Sequence, residues 1–199
     1  MYTIYGDINS GNCYKIKLLA EQLALQYTWV GIDTLKKETQ SESFLNKNPN
    51  GKIPLLETPD GNFLPESNAI LHYLAEGTAF LPKGRFEHAQ VLQWLFFEQY
   101  SHEPYIATAR YIVRYLRRPP ELEANLQAKM APGYKALQVM ESHLNNQPFF
   151  VGGRYTIADV GLFAYTHVAE EGGFELTNFP AIRQWVENVR TQPNFVEIG

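Results

Sequence analysis

At 199 residues, with 45% hydrophobic and 19% charged side chains, the chain is long enough to bury a real core and can hold one large domain or two modest ones. Its net charge of −4 and the absence of any basic stripe exclude a nucleic-acid footprint, residues 114–118 reading only as a solvated helix end. The single cysteine, Cys13, excludes an internal disulfide and a Cys-x-x-Cys pair; with no signal-peptide pattern and no membrane-length apolar run, a soluble, cytoplasmic protein is expected.

Residues 2–5 form a short β-rich run, and Ile16, Leu19, Ala20 and Leu23 follow at helical spacing. Residues 27–32, rich in β-branched and aromatic side chains, read as a second strand, so the opening is a right-handed βαβ unit. A short polar segment around residues 41–45 has helical character. Residues 53–58 and 62–64 flank Pro59-Asp60-Gly61, a turn that predicts an antiparallel hairpin. Ser67 opens another helix, with Ile70, Leu71 and Leu74 on one face and Gly77 as its stop. The order β-α-β-α-β-β-α suits a mixed sheet of four strands with helices packed on it.

Residues 78–85, containing Leu81-Pro82-Lys83-Gly84, are the expected linker. Beyond them strand signals nearly vanish, and helices are predicted near 86–116, 121–145, 156–169 and 180–191, with Pro104 kinking or breaking the first. The fold class is therefore α/β plus all-α, with domains at 1–77 and 86–199. Thr156-Ile157-Ala158-Asp159 reads as a capping box, with Tyr155 and Val160 as its hydrophobic staple.

Three patches of the first domain carry polar groups suited to a ligand. The run Asp7 to Lys15 includes Ser10 at a helix N-terminus, where it is either a plain cap or a hydrogen-bond donor to a thiolate. The Asn12 amide has the same two readings. Cys13 is either a nucleophile or, the reading favoured by its apolar helical surroundings, a buried filler. In the second patch, a proline after Ile53 fits a strand start; a cis Ile53-Pro54 bond would instead turn the Ile53 N–H and C=O outward to pair with an extended peptide. Lys52 meets a ligand carboxylate or points into solvent. The third patch, Pro65-Glu66-Ser67-Asn68, offers helix N–H groups and the Ser67 hydroxyl to a carboxylate and Glu66 to an ammonium, or simply caps the helix. Together these patches describe one ligand: an extended peptide with an α-amino-acid end, a central thiol and a second carboxylate.

With the segments Asn48-Pro49-Asn50-Gly51-Lys52-Ile53-Pro54, Glu66-Ser67-Asn68-Ala69-Ile70 and Thr156-Ile157-Ala158-Asp159 in this order, nearly the whole chain resembles the cytosolic glutathione transferases. The resemblance implies a thioredoxin-like N-terminal domain followed by an all-helical C-terminal domain, and a homodimer. It implies glutathione as co-substrate, with Lys52, Ile53, Glu66 and Ser67 binding it, and no metal or other cofactor. The Ser10-Gly11-Asn12 loop looks closer to serine-type than tyrosine-type members, Tyr5 notwithstanding. It also resembles bacterial and fungal members with Thr-Pro-Asn here. Ser10 and Asn12 are thus the expected thiolate stabilisers, and the catalytic cysteine of the beta class is not carried over to Cys13.

The implied function is glutathione transfer to a small electrophile, through a lowered thiol pKa and proximity. Tyr105 and Tyr111 are candidates for the electrophile pocket. Two alternatives stand beside it: glutathione-dependent reduction of disulfides or peroxides, and a non-catalytic interaction module on the same fold. Neither a nucleic acid nor a membrane is an expected partner.

Overall fold

The computed structural model describes residues 1–199, which divide into two compact units, Met1–Gly77 with Pro193–Gly199, and Thr78–Gln192. The first holds a four-stranded sheet in the order β2-β1-β3-β4, with β1 at Tyr2–Gly6, β2 at Tyr27–Gly31, β3 at Leu55–Glu57 and β4 at Phe63–Pro65. β1 and β2 run parallel, joined by the helix α1 (Gly11–Gln22), as a βαβ crossover requires. β3 lies antiparallel to both β1 and β4. The hairpin turn closes through Gly61 N–H to the Thr58 carbonyl and Thr58 N–H to the Asn62 carbonyl, both at 2.9 Å.

Helix α2 is one turn (Glu42–Leu45) capped by Ser41, whose hydroxyl oxygen accepts from the Phe44 N–H. Helix α3 (Ser67–Ala75) packs against α1, with Ile70 and Leu71 wholly buried. Gly77 follows at φ 75°, a conformation that ends a helix at little steric cost in glycine.

The second unit is helical: α4 (Arg85–Phe97), α5 (Glu103–Arg110), α6 (Glu123–Leu144), α7 (Ile157–Thr166) and α8 (Pro180–Arg190). The kink expected at Pro104 takes the form of a π turn over Glu98–His102 between α4 and α5. Proline offers no N–H and crowds the carbonyl four residues back, and one wider turn relieves both. The core gathers Phe150, Phe163 and Trp185, with ring centroids 5.2 and 6.0 Å from the Trp185 ring. Asp159 lies inside it, accepting from the Phe150 N–H, the Thr156 N–H and the Trp185 indole N–H at 2.9–3.1 Å. The capping box at Thr156 is thus also a core polar node.

Two boundaries differ from the sequence reading. Residues 78–84 belong to the helical unit: the Phe80 carbonyl accepts from the Ile157 N–H, its ring meets Tyr155 edge-on, and Leu81 is buried. Residues 193–199, expected with the second domain, belong to the first, where the Val196 carbonyl accepts the Tyr14 hydroxyl at 2.8 Å. For residues 78–84 the burial of Leu81 outweighs the Pro/Gly content that suggested a linker.

Candidate active site

The sheet register collects the three patches. Tyr5 pairs with Leu55, and Leu55 with Pro65, in one row across β1, β3 and β4. β1 therefore ends, β3 begins and β4 ends at the same edge, from which the loop to α1, the 53–54 segment and the start of α3 all issue.

Ser10 is the N-cap of α1: its extended backbone (φ −75°, ψ 126°) turns the chain in, and its hydroxyl oxygen accepts from the Cys13 N–H at 3.5 Å. A hydroxyl that accepts one bond keeps its own proton to donate. Two residues on, the Asn12 carbonyl oxygen accepts from the Ser67 hydroxyl at 3.1 Å, joining the first patch to the third. Ser67 in turn accepts from the Lys15 ammonium at 3.2 Å, and Lys15 also reaches Asn68 Oδ1 at 3.4 Å. Lys15 and Asn68 lie at the ends of the first and third patches, but nothing in the sequence assigned a role to either; a lysine in a helix reads as a solvated side chain.

Glu66 sits exposed before α3 at φ 70°, and neither it nor Ser67 makes a side-chain cap there. Capping therefore does not account for this pair. A non-glycine residue held at positive φ is uncommon and gathers where ligands are clamped.

The Ile53–Pro54 bond is cis. The loop before it is tied by Asn48, whose amide donates to the Lys52 carbonyl at 2.7 Å and accepts from the Asn50 N–H at 3.1 Å. Gly51, at φ 60°, cannot be replaced without crowding, since a Cβ there would lie 2.6 Å from the Gln40 amide nitrogen. The Lys52 side chain is exposed and Ile53 is half-buried.

Tyr5 and Cys13 are committed elsewhere. The Tyr5 hydroxyl donates to Glu57 at 2.6 Å and accepts from Lys47 at 3.3 Å. Burial, with the Glu57 hydrogen bond, raises its pKa. Cys13 is fully buried against Gly6, and burial pushes its thiol up to about 12. At neutral pH it is a protonated filler.

In the helical unit Tyr105 lies half-buried on α5, its Cβ facing Gly133 of α6 and its ring 5.9 Å from the Lys129 ammonium. Tyr111, 42% exposed, stacks on Tyr115 at 5.4 Å. Two cavities of this unit, about 770 and 250 Å³, are lined by α8 and its neighbours and by neither tyrosine. No group of three or more His, Cys, Asp or Glu side chains is arranged to hold a metal ion.

Residues 1–76 match the glutathione S-transferase N-terminal domain, and residues 94–193 match the C-terminal domain. The chain belongs to the glutathione S-transferase family. Its first unit is accordingly the thioredoxin-like domain, and its second the helical domain. The structure matches a glutathione S-transferase from Pseudomonas fluorescens Pf-5 with a TM-score of 0.98 and 54% identity, over 99% of this chain and 98% of that one. It also matches the glutathione transferase URE2P6 of Phanerochaete chrysosporium, crystallised with oxidized glutathione, at a TM-score of 0.87 and 28% identity, over 97% and 92% of the two chains.

Among curated sequences, the disulfide-bond oxidoreductase YfcG of Escherichia coli is 30% identical across 92% of this chain and 87% of its own length. Elongation factor 1-gamma of Artemia salina is 32% identical across 75% of this chain, but this chain spans only 36% of that protein. These glutathione S-transferase relatives carry the names transferase, oxidoreductase and elongation factor. Membership alone therefore does not name the reaction.

Proposed function

We propose that this glutathione S-transferase family member binds glutathione at the shared sheet end of its first unit and activates the thiol for attack on small electrophiles. The γ-glutamyl carboxylate accepts from the Ser67 backbone N–H and the N–H groups that follow it at the start of α3, since the Ser67 hydroxyl proton is given to Asn12, and the γ-glutamyl ammonium meets Glu66. The cysteinyl backbone pairs with Ile53 as an added strand, and Lys52 anchors the far carboxylate. Ser10 and the Asn12 amide donate to the sulfur, which favours the thiolate. Its lone pair then attacks the electrophile, forming a carbon–sulfur bond as the leaving group departs with its electron pair. Tyr105 and Tyr111 are proposed to contribute to electrophile binding.

The observation that carries this reading is the 3.1 Å Ser67–Asn12 hydrogen bond, which unites the residues assigned to the two ends of one γ-glutamyl-cysteinyl unit. The test is glutathione binding by calorimetry with thiolate absorbance at neutral pH, on wild type, Ser10→Ala and Asn12→Ala. Wild type is expected to bind glutathione as a thiolate, and each variant to raise the thiol pKa by about one unit. No binding by wild type sinks the proposal.

Similarity to a disulfide-bond oxidoreductase and to a transferase crystallised with oxidized glutathione favours a second reading, reduction of mixed disulfides at the same site. Turnover of a small disulfide far exceeding that of an activated aryl halide would select it. The proposal includes a homodimer in the cytoplasm: Phe96 and Tyr100, 70% and 83% exposed, offer aromatic surface that pairing would cover. Sedimentation of Phe96→Asp at once the chain mass, against twice for wild type, is the expected result.

A further inference from the structure

Lys15 has no solvent exposure at all. Lysine is almost never fully buried unless its ammonium is paired, so a chain that folds with one there gains something for the desolvation. The ammonium carries only donors, and it points at Ser67 Oγ (3.2 Å) and Asn68 Oδ1 (3.4 Å).

That polarity propagates. Because Ser67 Oγ accepts from the ammonium, its single proton is turned to the Asn12 carbonyl oxygen at 3.1 Å. With Oδ1 fixed on Ser67, the Asn12 amide nitrogen and its donors lie on the opposite branch of the side chain. An asparagine between a hydroxyl and another group has no orientation of its own; a donor-only cation at the head of the chain imposes one. The ammonium also polarises the Ser67 hydroxyl and places a fixed positive charge beneath a site proposed to receive carboxylate and thiolate, in a medium where charge is poorly screened.

We infer that Lys15 is a positioning residue: its buried ammonium aims Ser67 and, through Ser67, Asn12, so that both ends of the γ-glutamyl-cysteinyl unit are organised by one cation. This rests on the glutathione reading above. Lys15 touches no reacting atom; it acts through Ser67 on Asn12, which is proposed to meet the sulfur.

The test is titration of bound glutathione thiolate by absorbance, with affinity by calorimetry, for wild type, Lys15→Met, Lys15→Arg and Ser67→Ala. Lys15→Met keeps the apolar stem and removes the donors and the charge. It is expected to weaken glutathione binding about tenfold, as loss of a charged hydrogen bond does. Its thiol titration should move up by about one pH unit. Lys15→Arg is expected to bring the titration back towards wild type, which a packing role for the stem would not do. Ser67→Ala should shift the sulfur's titration too, although Ser67 is assigned to the other end of the ligand. An unchanged titration in Ser67→Ala overturns the inference whether or not Lys15→Met folds, and so does a wild-type titration in folded Lys15→Met. Failure of the wild type to bind glutathione would instead remove the functional reading beneath it.

Discussion

Burial acts on two titratable side chains of the helical unit in opposite directions. It pushes the His167 imidazole down to about 4, a shift to which Arg190 and Arg110 add and which the Phe163 carbonyl opposes. It pushes the Asp159 carboxyl up to about 6, against the hydrogen bonds from Trp185, Thr156 and Phe150. An unfolded histidine takes its proton near pH 6.5, so the His167 contribution is complete above about 6.5 and is lost as pH falls towards 4. Asp159 runs the other way: its contribution is complete below the unfolded value of about 3.9 and is lost as pH rises through about 6. Each is worth about 3 kcal/mol at about 1.4 kcal/mol per unit, so in wild type they largely cancel. Relative to wild type, His167→Gln should gain stability from pH 7 to pH 4 and Asp159→Asn should lose it, as read from urea midpoints. Parallel curves for all three proteins would refute the opposition. At this scale Ser10 was legible because an N-cap bonds within three residues, whereas Lys15 and Asn68 were not, because the two meet from different helices.

Helix starts show the same division between local and distant causes. α7 is announced by Thr156 and Asp159, three residues apart, and both halves of the capping box are present. α8 begins with Pro180 and has no side-chain cap of its own. Its cap is Glu141 on α6: one carboxylate oxygen accepts from the Ala181 N–H at 3.0 Å, the other from the Ile182 N–H at 2.9 Å. The charge also opposes the positive end of the helix dipole. Glu141→Ala leaves one buried and one half-buried donor unpaired and is expected to lower unfolding free energy by about 2–4 kcal/mol, with Glu141→Gln losing less. Chemical denaturation decides it, and a loss no larger than that of an exposed-site control would remove the cap. Periodicity, with the capping box at Thr156 for α7, found the long helices. It missed that the break at Pro104 is taken up by a wider turn before the proline rather than by an interruption of the helix.

For the molecule as a whole, the chain leaves its first unit after Gly77 and returns to it with Pro193–Gly199. The Tyr14 ring, 1% exposed, gives its hydroxyl proton to the Val196 carbonyl in that returning segment. Removing residues 193–199 is expected to lower the stability of the first unit by about 1–3 kcal/mol, the loss of one hydrogen bond together with some apolar cover. Limited proteolysis and urea unfolding would show it, and an unchanged midpoint would mean the segment only lies alongside. The sequence by itself determined the strand and helix order, the four-stranded mixed sheet followed by a helical half, and the three segments in which the site is proposed, because periodicity, turn chemistry and capping act between near neighbours in the chain. Only the tertiary structure decided that Tyr5, Leu55 and Pro65 share one row, that a buried Lys15 stands behind Ser67 and Asn12, and that Cys13 is sealed from solvent. Strand register, burial and the direction of a hydrogen bond are set by residues dozens of positions away, and no local pattern carries them.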